Sequence, residues 1–370
     1  MSRMVDMENG GFYGQVTGQD QLVPHAPKAI ILNSRILWTF SAAYHQLGSE
    51  DYRNIATRAF DYICKYFIDH QYGGVYWKLD HQGAPVDTKK QVYAQAFAIY
   101  ALSAFYQSTG NQKALELAIS IYELIERHSF DRQQNGYLEA FDRQWQLLDD
   151  LRLSQKDANE AKTMNTHLHL LEAYTTLYQV WPDAGLYLQL KNLVNLFLQR
   201  FISTGLGFHL FFDENWNLKS QIQSYGHDIE GGWLLQRAAE VLGDPKLIAE
   251  CKKAAVSLTD KALRGLDTDG GLMYEGDING ITDPDKHWWP QAEALVGLIN
   301  AWQITGDSKY FQRAQLNWDF IRQYLVDPSG EWHWKVNQAG TVDYQEDKAG
   351  PWKAPYHNGR AMLELMQRLG

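Results

Sequence analysis

The sequence predicts an all-α fold of the (α/α)6-barrel type, and three observations carry that expectation. A glycine-turn segment recurs six times along the 370 residues. Between most successive recurrences lie two helix-length stretches, the first apolar on nearly every side and the second on a single stripe. That order, a buried helix and then a surface helix, repeats along the chain, as in architectures whose units bury their faces only against neighbours.

The segments are Gly-Gly-Phe-Tyr-Gly at 10–14, Gly-Gly-Val-Tyr-Trp at 73–77, Asn-Gly-Tyr-Leu-Glu at 135–139, Leu-Gly-Phe-His-Leu at 206–210, Gly-Gly-Leu-Met-Tyr at 270–274 and Ser-Gly-Glu-Trp-His at 329–333. Taking the glycines at 11, 74, 136, 207, 271 and 330, the steps are 63, 62, 71, 64 and 59 residues. Each segment alternates and is often followed by a Gly, Asp or Asn turn, which predicts short β-hairpins at one end of the barrel. In the second unit, 91–107 is apolar nearly all round, through Val92, Tyr93, Ala96, Phe97, Ile99, Tyr100, Leu102 and Phe105, and is an inner helix. The next stretch sets Leu115, Ala118, Ile119, Tyr122 and Ile125 on one stripe against Glu116, Ser120, Glu123 and Arg127, and is an outer one. The order recurs with 165–179 then 186–201, and with 229–242 then 247–263. Five pairs and a last inner helix at 356–369 make eleven helices where a full barrel has twelve. The missing outer helix should precede the first hairpin, so the expectation is a truncated N-terminus or an uncovered seam. Residues 1–370 are expected to form one barrel domain.

Composition narrows the function. With 45% hydrophobic and 21% charged residues the chain supports a packed core and is not a disordered one. No apolar run nears the ~20 residues of a membrane span, and Met1 to Asp20 holds no signal-peptide core. Two cysteines, Cys64 and Cys251, make no disulfide framework and point to a reducing compartment. A net charge of −10 without a basic stripe argues against nucleic acid. The expectation is a cytoplasmic protein with neither a nucleic-acid nor a membrane partner, a monomer or weak dimer. The 13 Trp, 21 Tyr and 15 Phe are mostly core filler, yet such flat rings also suit the apolar face of a sugar.

In a repeat barrel the residues opening the six inner helices share one mouth, where function is expected. They are Asn33-Ser34-Arg35, Gln91-Val92-Tyr93, Asn165-Thr166-His167-Leu168-His169, Tyr225 through Glu230, His287 through Glu293, and Trp352 through Arg360. Histidines, arginines, two glutamates and several tryptophans thus meet at one rim. His227 and Glu230 stand at i and i+3, so a hydrogen bond between them would fix the imidazole tautomer; the bland alternative is a surface pair. Arg35 among Ile31, Leu32, Ile36 and Leu37 needs a partner or an anionic transition state, and a structural ion pair would also satisfy it. Trp288, Trp289 and Trp352 serve equally well as core. His167 and His169 lie about 200° apart on a helix and cannot share an ion, and no cysteine cluster or phosphate-loop motif is present, so neither metal nor cofactor is expected.

These motifs, Tyr-Gly-His-Asp-Ile-Glu at 225–230, Trp-Trp-Pro-Gln-Ala-Glu at 288–293, Asn-Thr-His-Leu-His at 165–169 and Pro-Tyr-His-Asn-Gly-Arg at 355–360, resemble the N-acylglucosamine 2-epimerase superfamily. Within it they are most similar to the cellobiose 2-epimerases. The resemblance runs from Glu8 to the C-terminus and implies an (α/α)6 barrel; that family carries a helix before its Asn-Gly-Gly-Phe-Tyr-Gly segment, which is absent here. It implies acid/base histidines at His227 and His357, and a third histidine, His167, near the reacting carbonyl. Arg35, Glu230 and Glu293 match the family's arginine and carboxylates, Trp289 and Trp352 its sugar-contacting tryptophans, and Tyr93 a site tyrosine, with Trp288 alongside. The implied reaction is metal-independent inversion at C2 of the reducing-end glucose of cellobiose, or of other β-1,4-linked sugars such as lactose. Histidine suits that chemistry, since its ordinary pKa of about 6.5 lets it act as base and then as acid near neutral pH. The competing readings are a monosaccharide epimerase or aldose–ketose isomerase, a glycoside hydrolase using Glu230 and Glu293, and a non-catalytic sugar binder.

Overall fold

The computed structural model describes residues 2–370. Among them are eleven α-helices in alternating inner and outer order. The inner ones are α1 (Ile30–Leu47), α3 (Val92–Thr109), α5 (Met164–Val180), α7 (Tyr225–Leu242), α9 (Trp288–Thr305) and α11 (His357–Leu369). The outer ones are α2 (Glu50–Tyr62), α4 (Gln112–His128), α6 (Ala184–Leu196), α8 (Pro245–Ala262) and α10 (Ser308–Phe320). Each inner helix packs on the next, and α11 packs back on α1, where Gln46 Nε2 donates to the Leu363 carbonyl at 3.3 Å. The architecture is the expected (α/α)6 barrel, and no outer helix follows α11 among the described residues.

Local sequence explains the alternation. In α3 and α9, residues 92–105 and 288–301 are all buried, whereas α4 buries only the stripe of Ala114, Leu115, Ala118, Ile121, Tyr122 and Ile125. Four outer helices start at an Asn or Asp whose side chain accepts from the first-turn amides: Asn111, Asp183, Asp244 and Asp307. Four inner helices stop at Gly48, Gly110, Gly243 and Gly306, all with φ of 70–72°, a left-handed turn that favours glycine.

The glycine segments are smaller than the predicted hairpins. Each closes on a single bridge, such as Ile68 with Val75 or Phe130 with Tyr137. The ladders run instead between successive repeats. β1 (Lys28–Ala29), which leads into α1, pairs with β2 (Lys78–Leu79) of the next unit, and β2 pairs in turn with β3 (Pro85–Asp87). β4 (Lys90–Gln91) pairs with β5 (Ala140–Phe141), and β6 (Lys162–Thr163) with β7 (Phe211–Phe212). β8 (Gln223–Ser224) pairs with β9 (Glu275–Asp277), which β10 (Gly280–Asp283) extends. β11 (Lys286–His287) pairs with β12 (Lys335–Val336), and a bridge from Val16 to Ala349 joins the sixth unit to the first.

A buried ion pair recurs in this framework. The lysine two residues before an inner helix reaches the aspartate that opens a glycine turn: Lys28 with Asp6 at 2.8 Å, Lys90 with Asp69 at 3.0 Å, Lys162 with Asp131 at 2.7 Å and Lys286 with Asp267 at 2.8 Å. The fourth unit departs from it, with Gln223 at the lysine position and Ser203 at the aspartate position.

Candidate active site

The register of the repeats sorts the side chains at the mouth. The fourth residue of four inner helices turns back onto the preceding glycine segment. Gln95 bonds both the N–H and C=O of Val75, Gln291 does the same to Leu272, and Asp228 accepts from the Phe208 amide at 2.6 Å. His167 is the fourth residue of α5, and its Nε2 accepts from the Tyr137 amide at 2.9 Å. Its Nδ1–H donates to the Thr163 carbonyl at 2.7 Å, so both ring nitrogens are engaged by backbone. The expectation that His167 stands near a reacting carbonyl is therefore corrected: it is a staple between α5 and its hairpin, among Tyr137, Phe201 and Trp216.

The sixth residues of the inner helices meet instead: Arg35, Phe97, His169, Glu230 and Glu293. The Arg35 guanidinium lies 4.7 Å from the Phe97 ring centroid, and the Phe97 and His169 rings are 4.6 Å apart. Arg360 of α11 donates to both Glu230 and Glu293. Three residues further along each helix, about 4.5 Å deeper at 1.5 Å per residue, come Trp38, Tyr100, Glu172 and Trp233. From sequence, His169, Tyr356 and Arg360 are placed at the mouth without a role, and Glu172 and Trp233 are missed; His169 is the imidazole left unassigned. The spacing His169-x-x-Glu172 repeats His227-x-x-Glu230, which is the signal that could have found it.

Three imidazoles in this layer have three different supports. The His357 Nδ1–H donates to Glu293 at 2.7 Å, and that carboxylate also accepts from Arg360 at 2.7 Å and the Trp233 indole at 3.1 Å. His169 Nδ1 is 3.0 Å from Glu172, which accepts as well from the Tyr356 hydroxyl at 2.7 Å and from Arg360. His227 Nδ1 lies 2.8 Å from the Ser224 hydroxyl. The bond expected from Glu230 to His227 is not made, because Arg360 takes that carboxylate.

Burial sets the charges. It pushes His227 down to about 3, aided by the neighbouring His169. It likewise depresses His357, with Arg35 and Arg360 adding to the effect. Glu230 is pushed up to about 7 by burial and by Glu293, against the pull of Arg360. Burial also raises Glu293, whereas in Glu172 the pull of Arg360 and His169 outweighs burial and holds the carboxyl low. Both candidate acid/base histidines are thus neutral near pH 7. Glu230, Glu293 and His357 bring ligand-type atoms within 4.8 Å of one another, the one such grouping among the described residues. The Arg360 guanidinium already bridges the two carboxylates, so a cation is built into that place.

The remaining predicted residues line the mouth. Arg35 Nη2 donates to the Tyr93 hydroxyl at 3.0 Å and Nη1 to the Trp352 carbonyl, while its buried Nε has no partner among the described residues. Burial pushes Tyr93 up to about 12. The Trp289 ring stands 4.7 Å from His227 and 5.6 Å from His357, so one indole touches both. Trp288 packs behind, 4.6 Å from Trp334 and 6.2 Å from His357. Trp352 faces Trp77 at 5.9 Å and Tyr93 at 6.1 Å. Trp77 and Trp352 border a cleft of about 240 Å³ that Leu153, Ser154 and Gln155 also line. Those three belong to the 142–161 loop, which Gln91 Nε2 anchors through the Leu151 carbonyl at 3.1 Å.

Known proteins share this framework. A family model described as N-acylglucosamine 2-epimerase (GlcNAc 2-epimerase) matches residues 11–361. A cellobiose 2-epimerase from Bacteroides fragilis is 51% identical over 99% of this chain and 94% of its own. One from Ruminococcus albus is 43% identical with the same coverage. The solved structure of cellobiose 2-epimerase from Bacillus thermoamylovorans superposes with a TM-score of 0.94 at 40% identity, covering 99% of this chain and 95% of that one. With the barrel, its convergent histidines and this extent of match in hand, the chain belongs to the N-acylglucosamine 2-epimerase family.

Proposed function

We propose that the protein is a carbohydrate 2-epimerase that interconverts cellobiose, and β-1,4-linked relatives such as lactose, with the epimer carrying mannose at the reducing end. One observation carries the reading: two neutral histidines, His227 and His357, contact the same indole, Trp289, each with Nδ1 engaged and Nε2 left for substrate. After ring opening, one imidazole removes the C2 proton and the other returns a proton to the opposite face of the planar enediolate. Arg35 and His169 stabilise the developing oxyanion, a large contribution in water-poor sites. Trp289 and Trp352 hold the sugar rings, with Tyr93 and Trp288 supporting them, and Glu230 and Glu293 fix the charge balance through Arg360. The reading needs no cofactor. It treats residues 1–370 as one catalytic barrel working in the cytoplasm as a monomer or weak dimer. No helix among the described residues is long and apolar enough to cross a membrane. The names of the relatives at 51% and 43% identity support the choice of disaccharide.

Purified protein with cellobiose in D2O, followed by proton NMR, tests this. Loss of the C2 proton signal as glucosyl-mannose grows is the expected result. His227→Ala and His357→Ala, folded by circular dichroism, are each expected to lose at least about 100-fold in rate, the scale of general acid–base contributions. Wild-type turnover in either variant overturns the assignment. Release of free glucose would mark a hydrolase. Turnover of mannose or N-acetylglucosamine with cellobiose untouched would mark a monosaccharide epimerase or isomerase.

A further inference from the structure

We propose that Ser224 is the positioning residue of His227: its hydroxyl accepts the Nδ1–H and so fixes the tautomer in which Nε2 offers its lone pair to the sugar. The proposal rests on the reading of His227 as an acid/base residue. Ser224 is the residue just before α7, where a serine ordinarily accepts from an amide of the first turn and so stabilises the helix. Thr163, at the same place before α5, does this, accepting from the Thr166 amide at 3.1 Å. The Ser224 side chain makes no such bond. Its Oγ lies 2.8 Å from His227 Nδ1 instead.

The surroundings leave that task to the hydroxyl. His169 and His357 each have a carboxylate at Nδ1, Glu172 and Glu293, whereas Glu230, the carboxylate within helical reach of His227, is bound to Arg360. Ser224 is buried and its backbone is paired with Glu275 in β9, so the hydroxyl is held in place. Because burial keeps His227 neutral, the ring carries one proton on one of two nitrogens, and its partner decides which. A carboxylate would also favour the charged ring; a hydroxyl orients the ring while leaving it uncharged. The two acid/base histidines are thereby unequal, one backed by a charge and the other by a neutral group.

The test compares Ser224→Ala, Ser224→Thr and His227→Ala in the full chain. Ser224→Ala breaks no cap bond, so its melting temperature is expected within about 2 °C of wild type, with kcat down roughly 10-fold or more and KM within about twofold. Its pH–rate profile should shift, and 15N NMR of labelled histidine should show His227 passing from a single Nδ1–H tautomer to a mixture. Ser224→Thr keeps the hydroxyl and should recover most of the lost kcat. Wild-type kcat and pH profile in Ser224→Ala, with His227→Ala inactive, overturn the proposal alone. Activity in His227→Ala overturns the catalytic reading beneath it. If Ser224→Ala fails to fold, an Nε2–H tautomer for His227 in the wild-type spectrum overturns the proposal, and an Nδ1–H tautomer upholds it.

Discussion

At the scale of single residues, two histidines two positions apart on α5 have opposite fates. His167 gives both nitrogens to backbone, the place that Gln95 and Gln291 fill in their repeats. His169 sits on the axial layer with Arg35, Glu230 and Glu293. His167→Gln is therefore expected to keep activity within a few-fold, since an amide can make the same staple. His169→Gln is expected to lose roughly 100-fold, the scale of a lost oxyanion donor. A steady-state assay on cellobiose separates the two, and equal losses would refute the register argument. Motif identity brought His227, His357, Glu230 and Glu293 to the mouth in the sequence, and a place at the opening of an inner helix among apolar neighbours brought Arg35. Motif identity failed at 165–169 because a local motif does not say which of two histidines faces the axis. The roles of Glu172, Tyr356 and Arg360 stayed hidden because they depend on contacts between helices up to 188 positions apart in the chain.

Among elements, helices were read more faithfully than strands. A fully apolar stretch such as 92–105 and a striped one such as 114–125 announce their depth through period alone. The glycine segments alternate like hairpins, yet their strand pairing goes to the neighbouring repeat, which no local pattern encodes. What fastens these short strands is the recurring lysine–aspartate pair, and both Lys28 and Asp6 are fully buried. Lys28→Met leaves a buried carboxylate without its cation and is expected to cost about 3–5 kcal/mol. Adding Asp6→Asn should return much of that loss. Urea unfolding of the single and double variants measures both, and an unchanged midpoint in Lys28→Met would show that the pair contributes nothing.

For the whole molecule, buried ionisable groups set the pH response. Glu139, holding the Thr163 amide and Thr166 hydroxyl, is pushed up to about 8 by burial. Between its ordinary 4.5 and 8 the folded protein keeps a proton that the unfolded chain has released, so stability falls as pH rises through that window. His167, His227 and His287 are each pushed down to about 3, so between 3 and their ordinary 6.5 the unfolded chain binds protons the fold refuses, and stability rises with pH. Above 6.5 the histidines no longer contribute to the slope, while the raised carboxyl of Glu139 still does. The melting temperature is therefore expected to peak below pH 7 and decline toward pH 8, with Glu139→Gln flattening that decline; a wild-type plateau from pH 6.5 to 8 would contradict this. The ladders between repeats, together with the Val16–Ala349 bridge, have a mechanical meaning as well. They run as a belt around the mouth, from β1–β2 through β11–β12, whereas the far end is held by helix packing and by glycine turns such as Gly48 and Gly306. Amide hydrogen exchange is therefore expected to be faster at the base, around Gly48 and Gly306, than in the belt strands beside the histidines, and equal rates at the two ends would contradict this.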